Sequence, residues 1–577
     1  MKNLQLAATL AEIADLLEIL DENPFRIRAY RRAARSIELL PESIETIWRE
    51  GRLGEVEGVG KGIAAGVEEW LTTGAIAFHQ ELQERVPRGL LEIVRVPGVG
   101  PKTARLLYEE LGVRSLDELE AACRAGRVRT VKGLGAKTEE NILRGIERVR
   151  RHSERTPLGV ALPAARSIVA ELERLPAVRR AAYAGSARRG RETVGDLDII
   201  VGSDDAPAVI QAFVGLPGVA QVLAQGREKA SVVLSQGLQV DLLVVRDHQF
   251  AAALHHFTGS KEHNIAMREL AKSLGLRISE HGIMDEKTQA WLPVATEDDV
   301  FRAVGLPYIP PELREDGSEL AAAKSSHLPR LVEMQDIRGD LHVHSTWSDG
   351  RHTILEMAEA ARARGYEYIA IADHSRSLGV AGGLSPEELV AQIEEIRQLN
   401  RRWDDFRILA GAEVDILPDG TLDYDDELLS RLDVVVASVH SAMNQDRETM
   451  TQRIIAAMRN PYVDIIGHPT GRVLGWRDPY EVDVERLIAA AAETGTALEI
   501  NASPERLDLK DVHARMAKDA GVWLAVNTDA HRMEGLEQMH YGVTTARRGW
   551  LEKGHVLNCL PLEELLRNLK RHRRREA

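Results

Sequence analysis

From Asp340 to His531 the sequence alternates short apolar runs with helical stretches, and nearly every apolar run ends in a histidine or an acid. The runs are YEYIAIAD, RILAGAEVDI, LDVVVASVH, VDIIGHP, ALEINAS and VWLAVNTDAH. Strands alternating with helices predict a parallel sheet or barrel. The polar residues then fall at the C-terminal strand ends, where β/α barrels place their active sites. They form the clusters Asp340-Leu341-His342-Val343-His344, Asp349, Asp373-His374, Glu413-Val414-Asp415, His440, His468 and Asp529-Ala530-His531. A single strand-end histidine is commonly a hydrogen-bonded core residue. Seven such clusters have no comparably economical structural explanation, because unpaired buried ionisable groups are costly. Metal binding explains them. Mixed imidazole and carboxylate donors favour Zn²⁺, Mn²⁺ or Fe over Mg²⁺.

A different pattern occupies residues 180–245, where AAYAGS, DLDIIVG, ASVVLS and LQVDLLVV read as strands of a small sheet. Asp196 and Asp198 are two apart, so on a strand they share a face. Adjacent carboxylates repel unless a cation lies between them. Asp241 brings a third carboxylate from a neighbouring strand, and three hard oxygen donors suit Mg²⁺. Two such ions hold the attacking and leaving oxygens of an in-line phosphoryl displacement. The turn at Gly185-Ser186 and the guanidinium of Arg189 lie upstream, placed for a triphosphate.

Residues 1–150 read as short helices separated by glycine turns. Val56-Glu57-Gly58-Val59-Gly60-Lys61-Gly62 is echoed by Val96-Pro97-Gly98-Val99-Gly100-Pro101-Lys102 and again by Val131-Lys132-Gly133-Leu134-Gly135-Ala136-Lys137. Each copy is an apolar residue, a Gly-x-Gly turn and a helix start, whose free N–H groups face an anion such as a phosphate. A P-loop is excluded: Gly60-Lys61 lacks the glycine five residues earlier and the Ser/Thr that should follow. The triplicate resembles helix-hairpin-helix motifs, which grip DNA backbones without reading sequence. The arginine-rich stretch from Phe25 to Arg32 either adds phosphate contacts or is a solvated helix face.

The front of the chain, about residues 1–316, resembles the family X DNA polymerases (the DNA polymerase beta family). Phe257-Thr258-Gly259-Ser260, followed by Asn264 and Arg268, makes the match specific. The resemblance implies that Asp196, Asp198 and Asp241 are the catalytic metal-binding triad. It implies that Ser186, Arg189, Gly195 and Arg155 hold the incoming dNTP, that His256, Phe257 and Gly259 line its sugar side, and that Asn264 and Arg268 face the nascent base pair and template. Gly58, Gly60, Gly98, Gly100, Gly133 and Gly135 are then DNA-binding positions. Two departures bear on sugar choice: His256 and Lys261 stand where the vertebrate enzymes carry a tyrosine and an aspartate. Gly66 stands at the position of the vertebrate enzyme's Schiff-base lysine. Glycine has no amine for deoxyribose-phosphate lyase chemistry, and Lys61 is a poor substitute.

The back of the chain, about residues 336–570, resembles a PHP (polymerase and histidinol phosphatase) domain, an irregular (β/α)7 barrel. The resemblance assigns His342, His344, Glu413 and Asp529 to one ion. Glu413 bridges to a second held by His440 and His468, and Asp349, His374 and His531 hold the third. The combination, polymerase first and PHP last, resembles the bacterial family X arrangement. It implies gap filling in base-excision repair with a Mn²⁺-favoured 3′→5′ exonuclease, extending to abasic-site endonuclease or 3′-phosphatase activity. The alternative is a polymerase whose PHP domain is structural and catalytically silent.

The expected fold is therefore multidomain, α/β and α+β. Its parts are helix-hairpin-helix domains over 1–90 and 91–151, a nucleotidyltransferase palm over 152–257, a thumb over 258–316, a polar linker over 317–335 and the PHP barrel over 336–577. Residues 250–315 read as helix and loop. Lys570, Arg571, Arg573, Arg574 and Arg575 read as a solvated basic helix end.

The 577 residues carry 74 Lys and Arg against 89 Asp and Glu, a net charge of −15. Taken alone, that opposes a nucleic-acid partner. The first 155 residues, however, hold about 25 charges of each sign, so the excess acid lies downstream, where part of it supplies metal ligands. The DNA grip then rests on backbone N–H groups and a few placed arginines. The two cysteines, Cys123 and Cys559, are too few for a disulfide framework and suit a reducing compartment. No apolar run approaches the ~20 residues that span a bilayer, and the N-terminal stretch lacks the basic region of a signal peptide. The expectation is a cytoplasmic, monomeric enzyme acting on gapped or nicked DNA and dNTPs. It uses Mg²⁺ at the polymerase centre and up to three Mn²⁺ or Zn²⁺ ions in the barrel.

Overall fold

The computed structural model describes residues 2–38, 44–56, 58–87, 89–94, 96, 98–153 and 155–570. The chain divides into two compact units, Met1–Glu154 and Arg155–Ala577.

The first unit is helical. One apolar core runs from Leu6 and Leu10 through Val67, Leu90 and Leu107 to Ile142 and Ile146, so the expected cut at residue 90 falls inside it. The three glycine repeats fold alike. The first glycine of each has a left-handed backbone, with φ of 79° at Gly58, 83° at Gly98 and 90° at Gly133, a region that favours glycine. Gly60 and Gly100 sit at the N-caps of the helices Lys61–Thr73 and Pro101–Leu111, and neither helix receives a side-chain cap. The helix Ala136–Ser153 begins directly after Gly135. Helix starts built this way leave backbone N–H groups without intrahelical partners. Glu57 and Pro97 of these repeats lie outside the described residues. In the helix Pro24–Glu38, Arg31 pairs with Asp15 and Glu18, and Arg26 stacks 4.3 Å over Phe78. Part of that basic face is thus committed within the protein.

The second unit opens with a short antiparallel pair, β1 (Thr156–Pro157) and β3 (Thr193–Val194). Beside it lies a five-stranded sheet of β2 (Val178–Tyr183), β4 (Asp196–Ser203), β5 (Val219–Gln225), β6 (Lys229–Leu234) and β7 (Gln239–Val245), in the order β2-β4-β7-β6-β5. Only β4 and β7 run parallel. The helices Leu158–Glu173 and Ala206–Val214 cover one face through Ala161, Leu172, Val209 and Phe213.

Residues 250–315 differ from the helix-and-loop expectation. After the helices Phe250–Thr258 and Lys261–Ser273 comes a three-stranded antiparallel sheet, β8 (Leu276–Ser279), β9 (Gly282–Asp285) and β10 (Trp291–Leu292). These strands are too short and too polar to show a period-2 pattern. The 317–335 segment is not a free connector either. It holds the helix Ser318–Lys324, and its Leu320, Ala323 and Leu331 share a core with Phe301 and Trp550. One of its polar residues, Glu319, is fully buried and pairs with His263 at 2.6 Å.

The barrel follows. Seven parallel strands lie side by side in chain order: β11 (Gly339–Val343), β12 (Tyr368–Ile371), β13 (Arg407–Asp415), β14 (Val434–Ser438), β15 (Ile465–Ile466), β16 (Ala497–Asn501) and β17 (Leu524–Asn527). A parallel bridge from Val343 to Ala530 joins the two ends. One core packs Val343, Ile369, Val435 and Val526 against the surrounding helices. A second packs Leu341, Leu409, Val436 and Ile465 against Leu557, Leu565 and Leu569 of the C-terminal segment. Lys570 departs from the solvated-tail reading. It is 2% exposed, and its ammonium donates to the carbonyls of Met458 and Asn460. Arg571, Arg573, Arg574 and Arg575 lie outside the described residues.

Candidate functional site

The carboxylates of the five-stranded sheet come together through strand register. Asp198 on β4 is directly opposite Asp241 on β7, and Asp196 opens β4 on the same side two residues earlier. Asp196 is exposed and the other two are half-buried. Gln239 donates to both oxygens of Asp241, at 3.1 and 3.2 Å. Burial and the neighbouring Asp196 and Asp241 push the Asp198 carboxyl up to about 7. The cluster therefore lacks positive charge at its centre, the condition a divalent cation relieves. Gly185 makes the room: a Cβ there would lie 2.1 Å from Asp198 Oδ2.

The remaining polymerase candidates surround this edge. Ser186 lies in the single-turn helix Gly185–Arg188, and Gly195 precedes β4. Arg155 reaches across the β1–β3 pair to Thr193, donating from Nε to Oγ1 at 3.0 Å and from Nη2 to the carbonyl at 2.6 Å, next to Gly195. Arg189 is more committed than its sequence position suggests. Its guanidinium donates to Glu315 at 3.1 Å and to the Thr258 carbonyl, beside Gly259. Arg548, at the end of a barrel helix, donates to the Arg189 carbonyl at 2.6 Å and to Glu315 at 2.8 Å. Asn264 donates to the His256 carbonyl at 2.7 Å, and Arg268 to the Asn264 carbonyl at 3.1 Å. The His256 ring meets Phe257 edge-on, with centroids 5.1 Å apart. Burial lowers the pKa of His256.

At the C-terminal mouth of the barrel, all nine candidate ligands converge. Three compact groups overlap: His342, His344 and Asp529; His374, Glu413 and His440; and His344, Asp349, His374 and His531. His468 Nε2 lies 3.0 Å from Glu413 Oε1, and Glu413 Oε2 is 3.5 Å from His342 Nε2. His344 and His374 thus each stand between two groups. The resemblance had given each of them one ion.

The fit to cations is chemical as well as geometric. His342 and His344 are fully buried, yet His342 Nε2 and both nitrogens of His344 lack hydrogen-bond partners. Buried unpartnered polar atoms are expensive. Burial opposes charge throughout the cluster, but the Glu413 and Asp349 carboxylates raise His374 to about 10, and Glu413 and Asp415 raise His440 to about 9. Burial, with His531 and His374 nearby, drives His344 down to about 3. Imidazoles this divided are taking up protons where cations would otherwise balance the acids. His468 and Asp529 also hold left-handed backbones, with φ of 26° and 55°, a strain of the kind found at functional sites.

Behind the candidate ligands stands a layer of which the sequence clusters named Asp340 and Asp415, without a role, and did not single out Glu499 or Asn501. Glu499 on β16 accepts from His342 Nδ1 at 2.8 Å and from the His468 backbone at 2.7 Å. Asp415 pairs with His440 Nδ1 at 2.6 Å, and Asn501 donates to Asp529 at 3.0 Å. Asp340 accepts from the Thr528 backbone and hydroxyl and from the His342 backbone. Such partners fix ring orientation and raise ligand basicity. Their signal was an acid or amide inside an otherwise apolar strand, as at Glu499 in ALEINAS.

Four family models match the chain: a helix-hairpin-helix domain over residues 1–76, a SAM-like helix-hairpin-helix tandem over 90–148, the DNA polymerase beta thumb over 253–315 and the PHP domain over 340–503. The last span includes His342 through His468 and stops short of Asp529 and His531. The DNA polymerase/3′-5′ exonuclease PolX of Bacillus subtilis (strain 168) is 44% identical over 565 residues, 98% of each chain. DNA polymerase lambda of Rattus norvegicus is 29% identical over 45% of this chain and 48% of its own. A probable phosphatase of Thermoanaerobacter sp. (strain X514) is 31% identical over 40% of this chain and 95% of its own. A match that covers 98% of the chain at 44% identity, and so spans both the carboxylate sheet and the histidine barrel, makes this chain a member of the bacterial PolX family of DNA polymerases.

Proposed function

We propose that the chain fills short gaps in DNA by template-directed nucleotidyl transfer and degrades 3′ ends in a second, separate centre. It is a DNA polymerase with a PHP phosphoesterase domain, as its membership of the PolX family entails. The observation that carries the two-centre reading is that one chain holds both a register-matched carboxylate triad and a nine-residue imidazole–carboxylate cluster.

In the polymerase centre, Asp196, Asp198 and Asp241 hold divalent ions, Mg²⁺ by the hardness of the donors. Ions held there would supply positive charge at the primer 3′-oxygen and the α-phosphate. Around them, Ser186 and the N–H groups of the Gly185 turn receive the triphosphate, with Arg155 on its flank beside Gly195. Arg189 supports this turn through Thr258 and Gly259. Asn264 and Arg268, chained through backbone carbonyls, fix the wall on which the new base pair is tested. The glycine turns at Gly58/Gly60, Gly98/Gly100 and Gly133/Gly135 offer N–H groups to phosphates of gapped or nicked DNA.

In the barrel, His342, His344, Asp349, His374, Glu413, His440, His468, Asp529 and His531 hold up to three ions, Mn²⁺ or Zn²⁺ by the softness of imidazole. Such ions polarise the phosphate and lower the pKa of water. Glu499 and Asp415 set the tautomers of His342 and His440, so that the opposite nitrogens face the ions. A silent, structural barrel would leave His342 Nε2 and His344 buried without partners, so the catalytic reading is preferred. The enzyme is read as a cytoplasmic monomer, and no helix among the described residues is long and apolar enough to cross a membrane.

The test is one assay on gapped, labelled DNA with dNTPs and either Mg²⁺ or Mn²⁺, run on the wild type, Asp198→Ala and His344→Ala. Asp198→Ala is expected to stop extension and leave degradation, and His344→Ala to do the reverse. Loss of both activities in either variant would refute two independent centres.

A further inference from the structure

Outside both centres, the wall between the palm and the barrel encloses a cavity of about 370 Å³. None of the nine barrel candidates and none of the triad lines it. Three polar atoms on its lining residues are buried without a hydrogen-bond partner: Thr470 Oγ1, Arg472 Nε and His513 Nδ1. Thr470 and Arg472 are 3% and 7% exposed, so these are built-in groups and not mobile surface side chains. Leaving a buried polar atom of this kind unpartnered is costly. Three in one cavity wall point to something that binds there.

The chemistry of the wall defines the ligand. Arg472 is fixed within the wall: Nη2 donates to the Leu507 carbonyl and pairs with Glu192, itself a lining residue, at 2.8 Å. Its Nε–H has no hydrogen-bond partner. Lys510 also lines the space. Burial, with Lys510 and Arg472 close by, drives the His513 ring down to about 4, so it is neutral at physiological pH. Hydroxyl, guanidinium N–H, imidazole and ammonium together suit a phosphate monoester. The acids present are accounted for differently. Glu192 is held by Arg472, and Asp483 by Arg447 at 3.1 Å, while Asp483 also caps the helix Val484–Thr494. Glu485, the remaining acid on the wall, can accept from an amine or hydroxyl.

A phosphate alone would leave most of the volume empty, and ligand pockets of ~300–1,000 Å³ take whole small molecules. The rest of the wall is apolar, with Pro479, Tyr480, Val482 and Met516 offering surfaces for a flat ring. We propose that this cavity binds a nucleoside monophosphate, with the phosphate on Thr470, Arg472, Lys510 and His513 and the base against Met516 and Tyr480. The choice of a nucleoside rests on the exonuclease reading, because nucleoside monophosphates are what 3′→5′ degradation releases. Failure of that reading would appear as absent degradation, and failure of this site as absent binding.

The experiment is calorimetric titration of the full-length chain, as purified, with deoxyadenosine monophosphate, deoxyadenosine and inorganic phosphate. Lys510→Ala and Met516→Glu are run in parallel, with thermal melts to establish that both fold. Both substitutions lie at partly exposed positions. The expected result is saturable binding of the monophosphate, at least tenfold tighter than either fragment, and at least tenfold weaker in each variant. Absence of saturable binding would overturn the proposal. So would equal binding by wild type and both variants, which would assign the ligand to one of the catalytic centres, or phosphate binding as tightly as the nucleotide.

Discussion

The two centres of this chain meet the same problem, clustered carboxylates, in opposite ways. In the palm the acids sit at the open edge of a sheet, half-buried or exposed, with Gln239 the hydrogen-bonding side chain on Asp241. In the barrel, Glu413 is 1% exposed and surrounded by His342, His374, His440 and His468. Behind those rings stand Glu499, Asp415 and Asn501. The first arrangement completes a cation shell only with help from substrate and water. The second supplies a nearly full protein shell. The difference predicts that the palm binds cations more weakly on its own than the barrel does, and gains affinity when the nucleotide adds its phosphate oxygens.

That contrast can be broken by substitution. The largest expected effect is in the palm, where Asp241→Asn removes the charge opposite Asp198. Single-turnover incorporation should fall by about 10³-fold with 3′ degradation unchanged. Next, Glu499→Gln and Asp415→Asn should each weaken metal retention in the barrel by about 10–100-fold while leaving incorporation intact. Competition with a chromophoric chelator measures this. An equal loss of incorporation would mean that the centres are not separate.

A smaller effect concerns the seam between the domains. Arg548 holds Glu315 and the Arg189 carbonyl, and Glu315 in turn holds the Arg189 guanidinium. Arg548→Ala should raise the KM for dNTP roughly five-fold, with kcat changed less, because positioning is lost while the triad is kept. Steady-state kinetics on gapped DNA reads this split.

The smallest effect is in pH. Asp198 is raised to about 7, so its folded pKa lies above its unfolded value. Its contribution to stability is complete below about pH 4 and is lost as pH rises through 7. Mg²⁺ removes the proton's advantage. The rise in thermal midpoint on adding Mg²⁺ should therefore be larger at pH 8 than at pH 5, and Asp198→Asn should flatten that difference.

Much of this architecture was legible in the sequence because it is written in local pattern. The three Gly-x-Gly turns, the Asp196/Asp198 spacing and the strand-end histidines are short-range signals, and each maps onto one turn or strand end. What stayed hidden depends on partners distant in sequence. Glu499 gains meaning only when β16 brings it beneath His342, 157 residues away. Lys570 looked solvated until its ammonium met carbonyls of residues 458 and 460. The strands β8–β10 are two to four residues long, below the length at which alternation is visible. The exposed edge strand β5 was missed because nearly every residue of it faces solvent.

Metal content tests the central claim most directly. The full-length chain, passed through gel filtration without added metal, is measured by elemental mass spectrometry alongside Glu413→Ala and Asp198→Ala. The account predicts transition metal bound in the wild type, lost in Glu413→Ala and unchanged in Asp198→Ala. A wild type without bound transition metal, or metal lost equally in Asp198→Ala, would contradict it.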